Sequence, residues 1–78
     1  MSLLKIDKSF ITNMLSNDRD MGIVKMSIML AHELGLEVIA EGVETKEQLE
    51  FLKKEGCDTI QGFYLSIPAA ITDIKFRK

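Results

Sequence analysis

Four side chains that could do chemistry stand at the ends of short apolar runs: Lys5, Glu41, Glu44 and Gln61. The stretch VIAEGVETKEQ shows the pattern best, because two carboxylates flank Gly42-Val43 directly after three apolar residues. A buried strand with carboxylate side chains at its carboxyl end is typical of a sheet edge where polar groups contact a ligand. Gly42 has no Cβ and would let backbone or ligand approach closely.

The rest of the sequence predicts the elements that position these side chains. Apolar runs at 3–7, 37–40 and 57–65 predict strands, and the intervening patterns predict a helix over 18–34 and another ending at Glu55. Strands alternating with helices of this length indicate parallel βαβ units, whose strands end at one common edge. The predicted fold class is therefore α/β, and the polar residues at the strand ends are expected to form one patch.

Local signals set the predicted ends of the helices. Ser9 is the predicted N-cap of a short helical turn, and Ser16-Asn17-Asp18 offers a second N-cap. Thr45-Lys46-Glu47-Gln48 has the form of a capping box. Gly35 and Gly56 are predicted to end the two longer helices.

The helix over 18–34 is apolar around most of its circumference. We expect it to need burial on more than one side, since only a narrow stripe near Asp18, Lys25 and His32 is polar. His32 is interpreted as a solvated histidine on that stripe.

Each candidate residue also has a purely structural interpretation. Lys5 could have no role beyond an ion pair with Asp7 or Glu41. Glu44 could serve merely to stabilise the start of the following helix through the helix dipole. Gln61 could be a satisfied core amide. Spacing alone leaves these alternatives open.

Composition limits the class of protein. The 78 residues make one small domain at most, and 46% hydrophobic with 28% charged residues is typical of a globular chain. The net charge of −2 gives no reason to expect nucleic acid as a partner. No apolar run approaches the ~20 residues of a membrane span, and no signal peptide is recognised. The single Cys57, interpreted as a small buried side chain, is consistent with a reducing cytoplasm.

Three segments resemble a known family. LKIDKSF, VIAEGVET and GCDTIQGFYLSIP are similar, in order and spacing, to the last three strand motifs of the EAL domain, the bacterial phosphodiesterase that linearises cyclic di-GMP. The resemblance extends from Leu3 to about Pro68. It implies a βαβαβ portion of a TIM-like (β/α)₈ barrel and cyclic di-GMP as the ligand of the intact domain.

The resemblance also implies roles for the candidate residues. Lys5 matches the lysine that orients the nucleophilic water or the phosphate, and Gln61 matches a glutamine near the metal site. Glu41 matches the glutamate that binds metal, directly or through water, or acts as general base. Glu44 matches a second glutamate that supports an active-site loop. The metal is Mg²⁺ or Mn²⁺, a hard cation that takes several oxygen ligands and lowers the pKa of bound water.

The sequence also departs from the family pattern. It begins on the sixth strand, so the Glu-Ala-Leu signature and an Asp-Asp pair expected before Lys5 are absent. Residues 1–78 are thus interpreted as the C-terminal part of an EAL domain, with residues 1–2 as initiator or vector residues and with 69–78 too short for a full last helix. The metal site is incomplete, so we expect this chain alone to bind no metal tightly and to be inactive.

Two further interpretations stay open at this point. The chain could be a non-catalytic module that binds a partner or itself, or it could capture a ligand without hydrolysis. Open strand edges and the apolar helix over 18–34, with its methionines, predict a homodimer or a higher oligomer.

Overall fold

The computed structural model describes residues 2–62 in full and the backbone of residues 73–75. In chain order the elements of these residues are β1 (Leu3–Ile6), α1 (Lys8–Asn13), α2 (Asp18–Glu33), β2 (Glu37–Val43), α3 (Lys46–Glu55), β3 (Thr59–Gly62) and β4 (Asp73–Lys75). Strands β1, β2 and β3 are parallel, and helices connect them. The predicted βαβαβ arrangement of an α/β fold is confirmed.

The sheet has the order β1-β2-β3-β4. The fourth strand was not predicted: β4 runs antiparallel to β3 and places Asp73 opposite Gln61. The sequence predicted of residues 69–78 only that they are too short for a full last helix. Strand β4 alternates polar and apolar residues, and it pairs with the edge of β3 that is not occupied by β2.

One face of the sheet packs against the helices. Ile6, Ala40 and Ile60 are register partners on this face and are almost fully buried. Helix residues complete the core, and the buried ones include Ile11, Met14, Val24, Ile28, Ala31 and Leu52. Residues at alternate positions in the strands therefore lie on the other face, and these include Lys5, Glu41 and Gln61.

The cap of the first helix differs from the prediction. Asp7, rather than Ser9, is the N-cap of α1. Its Oδ2 accepts hydrogen bonds from the Ser9 backbone N–H at 3.0 Å and from Ser9 Oγ at 2.7 Å. These bonds stabilise the carboxylate and lower the pKa of Asp7. Asp7 takes this position because it directly follows β1, where the chain is still extended.

The other predicted caps are confirmed. Asn17 caps α2 by accepting from the Asp20 N–H at 3.1 Å. Thr45 and Gln48 form the reciprocal capping box of α3, which ends at Gly56. Strand β3 begins at Thr59 rather than residue 57, because the Cys57 N–H still bonds to the Leu52 carbonyl at the end of α3. Residues 63–65 of the predicted strand lie outside the described residues.

Helix α2 is buried on one side only within the described part of the chain. The predicted bounds hold to one residue, and Val24, Ile28 and Ala31 face the core. Three of its large apolar side chains and its C-cap residue are 60–66% exposed: Met26, Met29, Leu30 and Leu34. Ile23 is 36% exposed, and Met21 is half-buried. The expected burial on more than one side is therefore not found among the described residues, where α1 and the sheet cover a single side of α2.

Candidate functional site

Lys5 and Glu41 meet at the carboxyl ends of β1 and β2. Lys5 is the register partner of Ile39, so Glu41 lies two residues further along the same face. The Lys5 Nζ and Glu41 Oε2 atoms are 3.6 Å apart, and the side chains are 60% and 34% exposed. An ion pair this exposed contributes only ~0–1 kcal/mol to stability. Both groups thus stay available to a ligand.

A β-bulge gives Glu41 its position. Ala40 pairs with Ile60, but the next pair along the strands is Val43 with Gly62, so β2 has one residue more than β3 at this point. The fully buried residues of β2 are Val38, Ala40 and Val43. The extra residue shifts the alternation by one position, so that Val43 rather than Gly42 faces the core. Bulges are common beside active sites because they redirect a side chain.

Gly42 makes this bulge possible. Its φ of +75° lies in the left-handed region that favours glycine. A Cβ at this position would lie 2.5 Å from Lys8 Cγ and 2.8 Å from Lys8 Cβ. A close approach is therefore present at Gly42, but the approaching group is the Lys8 side chain at the start of α1 rather than backbone or a ligand.

Gln61 lies on β3 beside the bulge and is half-buried. The next residue, Gly62, packs directly against the backbone of Val43: a Cβ on Gly62 would overlap the Val43 carbonyl oxygen and lie 2.7 Å from the Val43 nitrogen. This close packing joins the ends of β2 and β3. Gln61 is thereby held on the face that also presents Glu41.

Glu44 lies in the short connection between β2 and α3. Its backbone N–H donates to Gln48 Oε1 at 2.7 Å, and the Thr45 N–H donates to the same oxygen at 3.2 Å. Gln48, which is buried, also donates from Nε2 to the Ile11 carbonyl at 3.4 Å. The contact to Ile11 was not predicted and ties the loop after Glu41 to α1. The N-cap of α3 is Thr45, so the Glu44 carboxylate does not serve as that cap.

His32 is exposed, as the interpretation of a solvated histidine expects, but it also has a partner that was not predicted. Its Nε2 lies 2.7 Å from Asp58 Oδ2, and the His32 side chain is 34% exposed. The same Asp58 oxygen accepts from the Val38 backbone N–H at 2.8 Å. Asp58 is buried and connects the end of α2 to the starts of β2 and β3. This cluster lies at the amino ends of the strands, opposite Glu41, where parallel barrels keep residues that serve stability.

Sequence reasoning missed Asp58. The available signal was an acidic residue inside the otherwise uncharged run from Gly56 to Tyr64. A carboxylate in a stretch that must be buried needs hydrogen-bond partners nearby. Helix periodicity placed His32 on a polar stripe but could not show that Asp58 lies against it.

Cys57 is a small buried side chain, as predicted. It is 1% exposed, and its Sγ lies 3.2 Å from the Thr59 carbonyl oxygen. Burial raises the pKa of the thiol to about 11. The thiolate, which is the nucleophilic form, is therefore scarce at neutral pH.

The residues described do not form a complete cation site. No group of three or more His, Cys, Asp or Glu side chains among them is placed to hold a metal ion. Glu41 and Gln61 offer two carboxylate oxygens and one amide oxygen, whereas Mg²⁺ requires near-octahedral coordination. Among the described helices, none is long and apolar enough to cross a membrane.

Comparison with known proteins assigns the family. The family model of the EAL domain matches residues 1–68. A cyclic di-GMP phosphodiesterase of Pseudomonas aeruginosa, NbdA, is 42% identical over 72 residues, which are 92% of this chain and 9% of that protein.

Solved structures agree in fold. The PaMucR phosphodiesterase in complex with c-di-GMP is 43% identical with a TM-score of 0.78, over 88% of this chain and 28% of that one. The EAL enzyme Bd1971, in its cAMP- and cyclic-di-GMP-bound form, is 40% identical with a TM-score of 0.80, over 90% of this chain and 19% of that one. The chain thus spans about a tenth of its curated relative and between about a fifth and somewhat more than a quarter of these structures. The parallel strands and their helices are part of a TIM-type barrel, and the chain belongs to the EAL domain family.

Proposed function

We propose that this chain supplies part of the active site of a cyclic di-GMP phosphodiesterase, which hydrolyses cyclic di-GMP to linear pGpG. The observation that carries the proposal is the Lys5–Glu41 pair, 3.6 Å apart across the ends of two parallel strands. Gln61 lies on the same face of the third strand. In TIM-type barrels the carboxyl ends of the strands form the catalytic face.

Lys5 is proposed to orient a phosphate oxygen or the attacking water. Its ammonium group is largely exposed and its pair with Glu41 is weak, so exchanging the carboxylate for a phosphate oxygen costs little. A charge-assisted hydrogen bond to phosphate would then offset negative charge that develops on the phosphodiester.

Glu41 is proposed as the metal-associated or general-base glutamate, with Gln61 beside it. When bound, Mg²⁺ or Mn²⁺ supplies a water of lowered pKa. Since the described residues do not complete a cation site, we assign no further step to the metal and expect this chain alone to bind none tightly. Glu44 is proposed to support the loop after Glu41, whose backbone the capping box of α3 holds in place.

The first experiment uses the chain alone. It is incubated with cyclic di-GMP and Mg²⁺ or Mn²⁺, and the products are separated by chromatography. We expect no pGpG, because Lys5, Glu41 and Gln61 cannot hold a metal tightly by themselves. Formation of pGpG that is abolished by Glu41→Gln would contradict the assignment of an incomplete site.

The second experiment restores a whole barrel. In a chimera of the PaMucR phosphodiesterase, residues 3–68 of this chain replace the matching segment. We expect the chimera to hydrolyse cyclic di-GMP and Lys5→Ala to abolish hydrolysis, while the control Lys53→Ala, at an exposed position on α3, leaves it unchanged. A folded chimera with no activity would contradict the proposed function.

A non-catalytic module that associates with itself is the second candidate function. The exposed apolar side chains of α2 favour it, since scattered single residues are ordinary on a surface but a contiguous row indicates an interface. A folded but inactive chimera, together with stable self-association of the chain, would favour this function over the enzyme. Cytoplasmic localisation in a bacterium stays a prediction under either candidate.

A further inference from the structure

Gln48 is a buried polar side chain to which the proposed function gives no role in the reaction. It is 7% exposed, and its amide group has three partners. Oε1 accepts from the backbone N–H groups of Glu44 and Thr45 at 2.7 and 3.2 Å, and Nε2 donates to the Ile11 carbonyl at 3.4 Å. These partners fix the orientation of the amide, because two donors face its oxygen and an acceptor faces its nitrogen.

The capping box alone does not require an amide at position 48. Glutamate and glutamine both serve at that position of the motif, and a carboxylate in the first turn of a helix also gains from the helix dipole. Only the amide can donate a hydrogen bond, because an ionised carboxylate is an acceptor alone. The bond to the Ile11 carbonyl is therefore the one contact of Gln48 that a glutamate could not make.

The Ile11 carbonyl needs this donor. Ile11 lies in the last turn of α1, where carbonyl groups have no partner within the helix. The residue is 0% exposed, so solvent does not reach its carbonyl oxygen. A buried acceptor without a donor is unfavourable, and the bond from Gln48 thus ties the end of α1 to the start of α3.

Helix α1 contacts the segment 41–44 at a second point. The Lys8 side chain occupies the space that a Cβ on Gly42 would fill, with its Cγ 2.5 Å from that position. Lys8 is the first residue of α1, and Ile11 lies about one turn further along the helix. Two contacts a turn apart therefore join α1 to this segment, one at Gly42 beside Glu41 and one through Gln48 at Glu44.

Helix α1 also continues directly from the strand that carries Lys5. Asp7 follows β1 and caps α1 through its hydrogen bonds to Ser9, so the strand end and the helix start are fixed together. The Lys5–Glu41 ion pair is exposed and weak, and it cannot by itself hold the 3.6 Å separation of its two atoms. The elements behind the two side chains must hold it.

We propose that Gln48 is a positioning residue whose amide N–H, bonded to the Ile11 carbonyl, holds the segment 41–44 against α1 and so sets the geometry of Lys5 and Glu41. This inference rests on the proposed phosphodiesterase function and deepens it. Gln48 is buried and acts through the backbone of Glu44, not on the ligand. A displacement of about 1 Å at reacting groups can lower a rate about a hundredfold, so a lost tie in the second layer of the site is enough to be measured.

Gln48→Glu in the PaMucR chimera separates the donor from the cap. This variant keeps an oxygen for the N–H groups of Glu44 and Thr45 and removes only the donor to Ile11. We expect kcat for cyclic di-GMP hydrolysis to fall at least about tenfold, while KM stays within about twofold because Gln48 does not touch the ligand. Gln48→Met, an uncharged side chain of similar length, should also lower kcat, and it serves as the second variant if the buried carboxylate prevents folding.

Two control variants distinguish positioning from a general loss of stability. Asn17→Ala removes the N-cap of α2, away from the segment 41–44, so it should lower the urea midpoint and leave kcat within about twofold of the parent chimera. Glu50→Gln makes the same kind of exchange between carboxylate and amide at an exposed position on α3 and should change neither quantity. A loss of kcat that merely follows the urea midpoint across all variants would overturn the positioning role.

A measurement on the full 78-residue chain needs no activity. The nuclear Overhauser effect between the Gly42 Hα protons and the Lys8 side chain reports whether the segment 41–44 stays against α1. We expect this signal to be at least about twofold weaker in Gln48→Glu and Gln48→Met, and unchanged in Asn17→Ala and Glu50→Gln. An unchanged signal in both Gln48 variants would overturn the proposed tie.

The outcomes distinguish this inference from the function on which it rests. An active parent chimera in which Gln48→Glu and Gln48→Met keep the parent kcat would overturn the positioning role and leave the phosphodiesterase function standing. Activity in Gln48→Glu but not in Gln48→Met would show that the acceptor alone matters, which would overturn the role of the amide N–H. A folded parent chimera without activity would contradict the phosphodiesterase function, and the Gly42–Lys8 signal would then decide whether Gln48 holds the segment 41–44 in place.

Discussion

Gly62→Ala is expected to damage the fold where the candidate site is built. Gly62 closes the β2–β3 pairing beyond the bulge, and its Cα faces the backbone of Val43. The new methyl group would overlap the Val43 carbonyl oxygen and lie 2.7 Å from the Val43 nitrogen and carbonyl carbon. These are backbone atoms, so they cannot rotate away as the end of a flexible side chain could.

The size of the effect follows from this geometry. Ordinary contacts to a Cβ begin at 3.4 Å, so the Val43 nitrogen and carbonyl carbon alone require a separation of about 0.7 Å, and the nearer carbonyl oxygen requires more. That shift takes a hydrogen bond of normal length beyond the usual range. Overpacking costs ~1–3 kcal/mol and each lost hydrogen bond about 1 kcal/mol, so we expect a destabilisation of roughly 2–4 kcal/mol.

Urea unfolding followed by far-UV circular dichroism measures this loss. The matched control is Gly22→Ala, where a Cβ meets open space in a helix and should stabilise the chain by roughly 0.5–1 kcal/mol. Both variants are compared at a chain concentration at which sedimentation shows the monomer. A Gly62→Ala chain within about 0.5 kcal/mol of the parent would refute the close packing of β3 on Val43.

Three further predictions concern other parts of the molecule. Asp58→Ala leaves the buried Val38 N–H and His32 without this acceptor, so it should lower the free energy of unfolding by ~2–3 kcal/mol, measured by urea titration. The control Glu50→Ala, at an exposed position on α3, should change the free energy of unfolding little. Burial raises the pKa of Cys57 to about 11. Iodoacetamide at pH 8 should therefore label the native thiol roughly a hundredfold more slowly than the urea-unfolded thiol, as measured by mass spectrometry. Equal labelling rates would contradict the burial of Cys57. In the chimera, Glu44→Gln should reduce cyclic di-GMP hydrolysis in a way that excess Mg²⁺ or Mn²⁺ partly restores, and a loss insensitive to metal would contradict its supporting role.

Local chemistry accounts for what could be predicted from the sequence. Asn17 and the Thr45–Gln48 capping box act within one helical turn, so the residues themselves specify these helix starts. The meeting of Lys5 and Glu41 was also predictable, because parallel strands joined by helices must end at one edge.

Contacts between residues distant in the chain account for the rest. The bulge at Glu41-Gly42 depends on the register with β3, and that register depends on the packing of Gly62 against Val43. His32 and Asp58 are 26 positions apart, so no periodic pattern relates them. Strand β4 forms because the edge of β3 is available, a fact that belongs to the assembled sheet rather than to residues 73–75 alone.

Hydrolysis of cyclic di-GMP by the chimera carrying either Glu41→Gln or Glu37→Gln tests the central claim most directly. Both glutamates lie on the same face of β2, Glu37 at the amino end of the strand and Glu41 near the carboxyl end. Production of pGpG should fall at least about a hundredfold with Glu41→Gln, the loss expected when a general base is removed. With Glu37→Gln it should stay within about twofold of the parent chimera, because that end of a barrel strand serves stability. Equal losses in the two variants, or full activity with Glu41→Gln, would contradict the claim that the carboxyl ends of β1, β2 and β3 form the catalytic site.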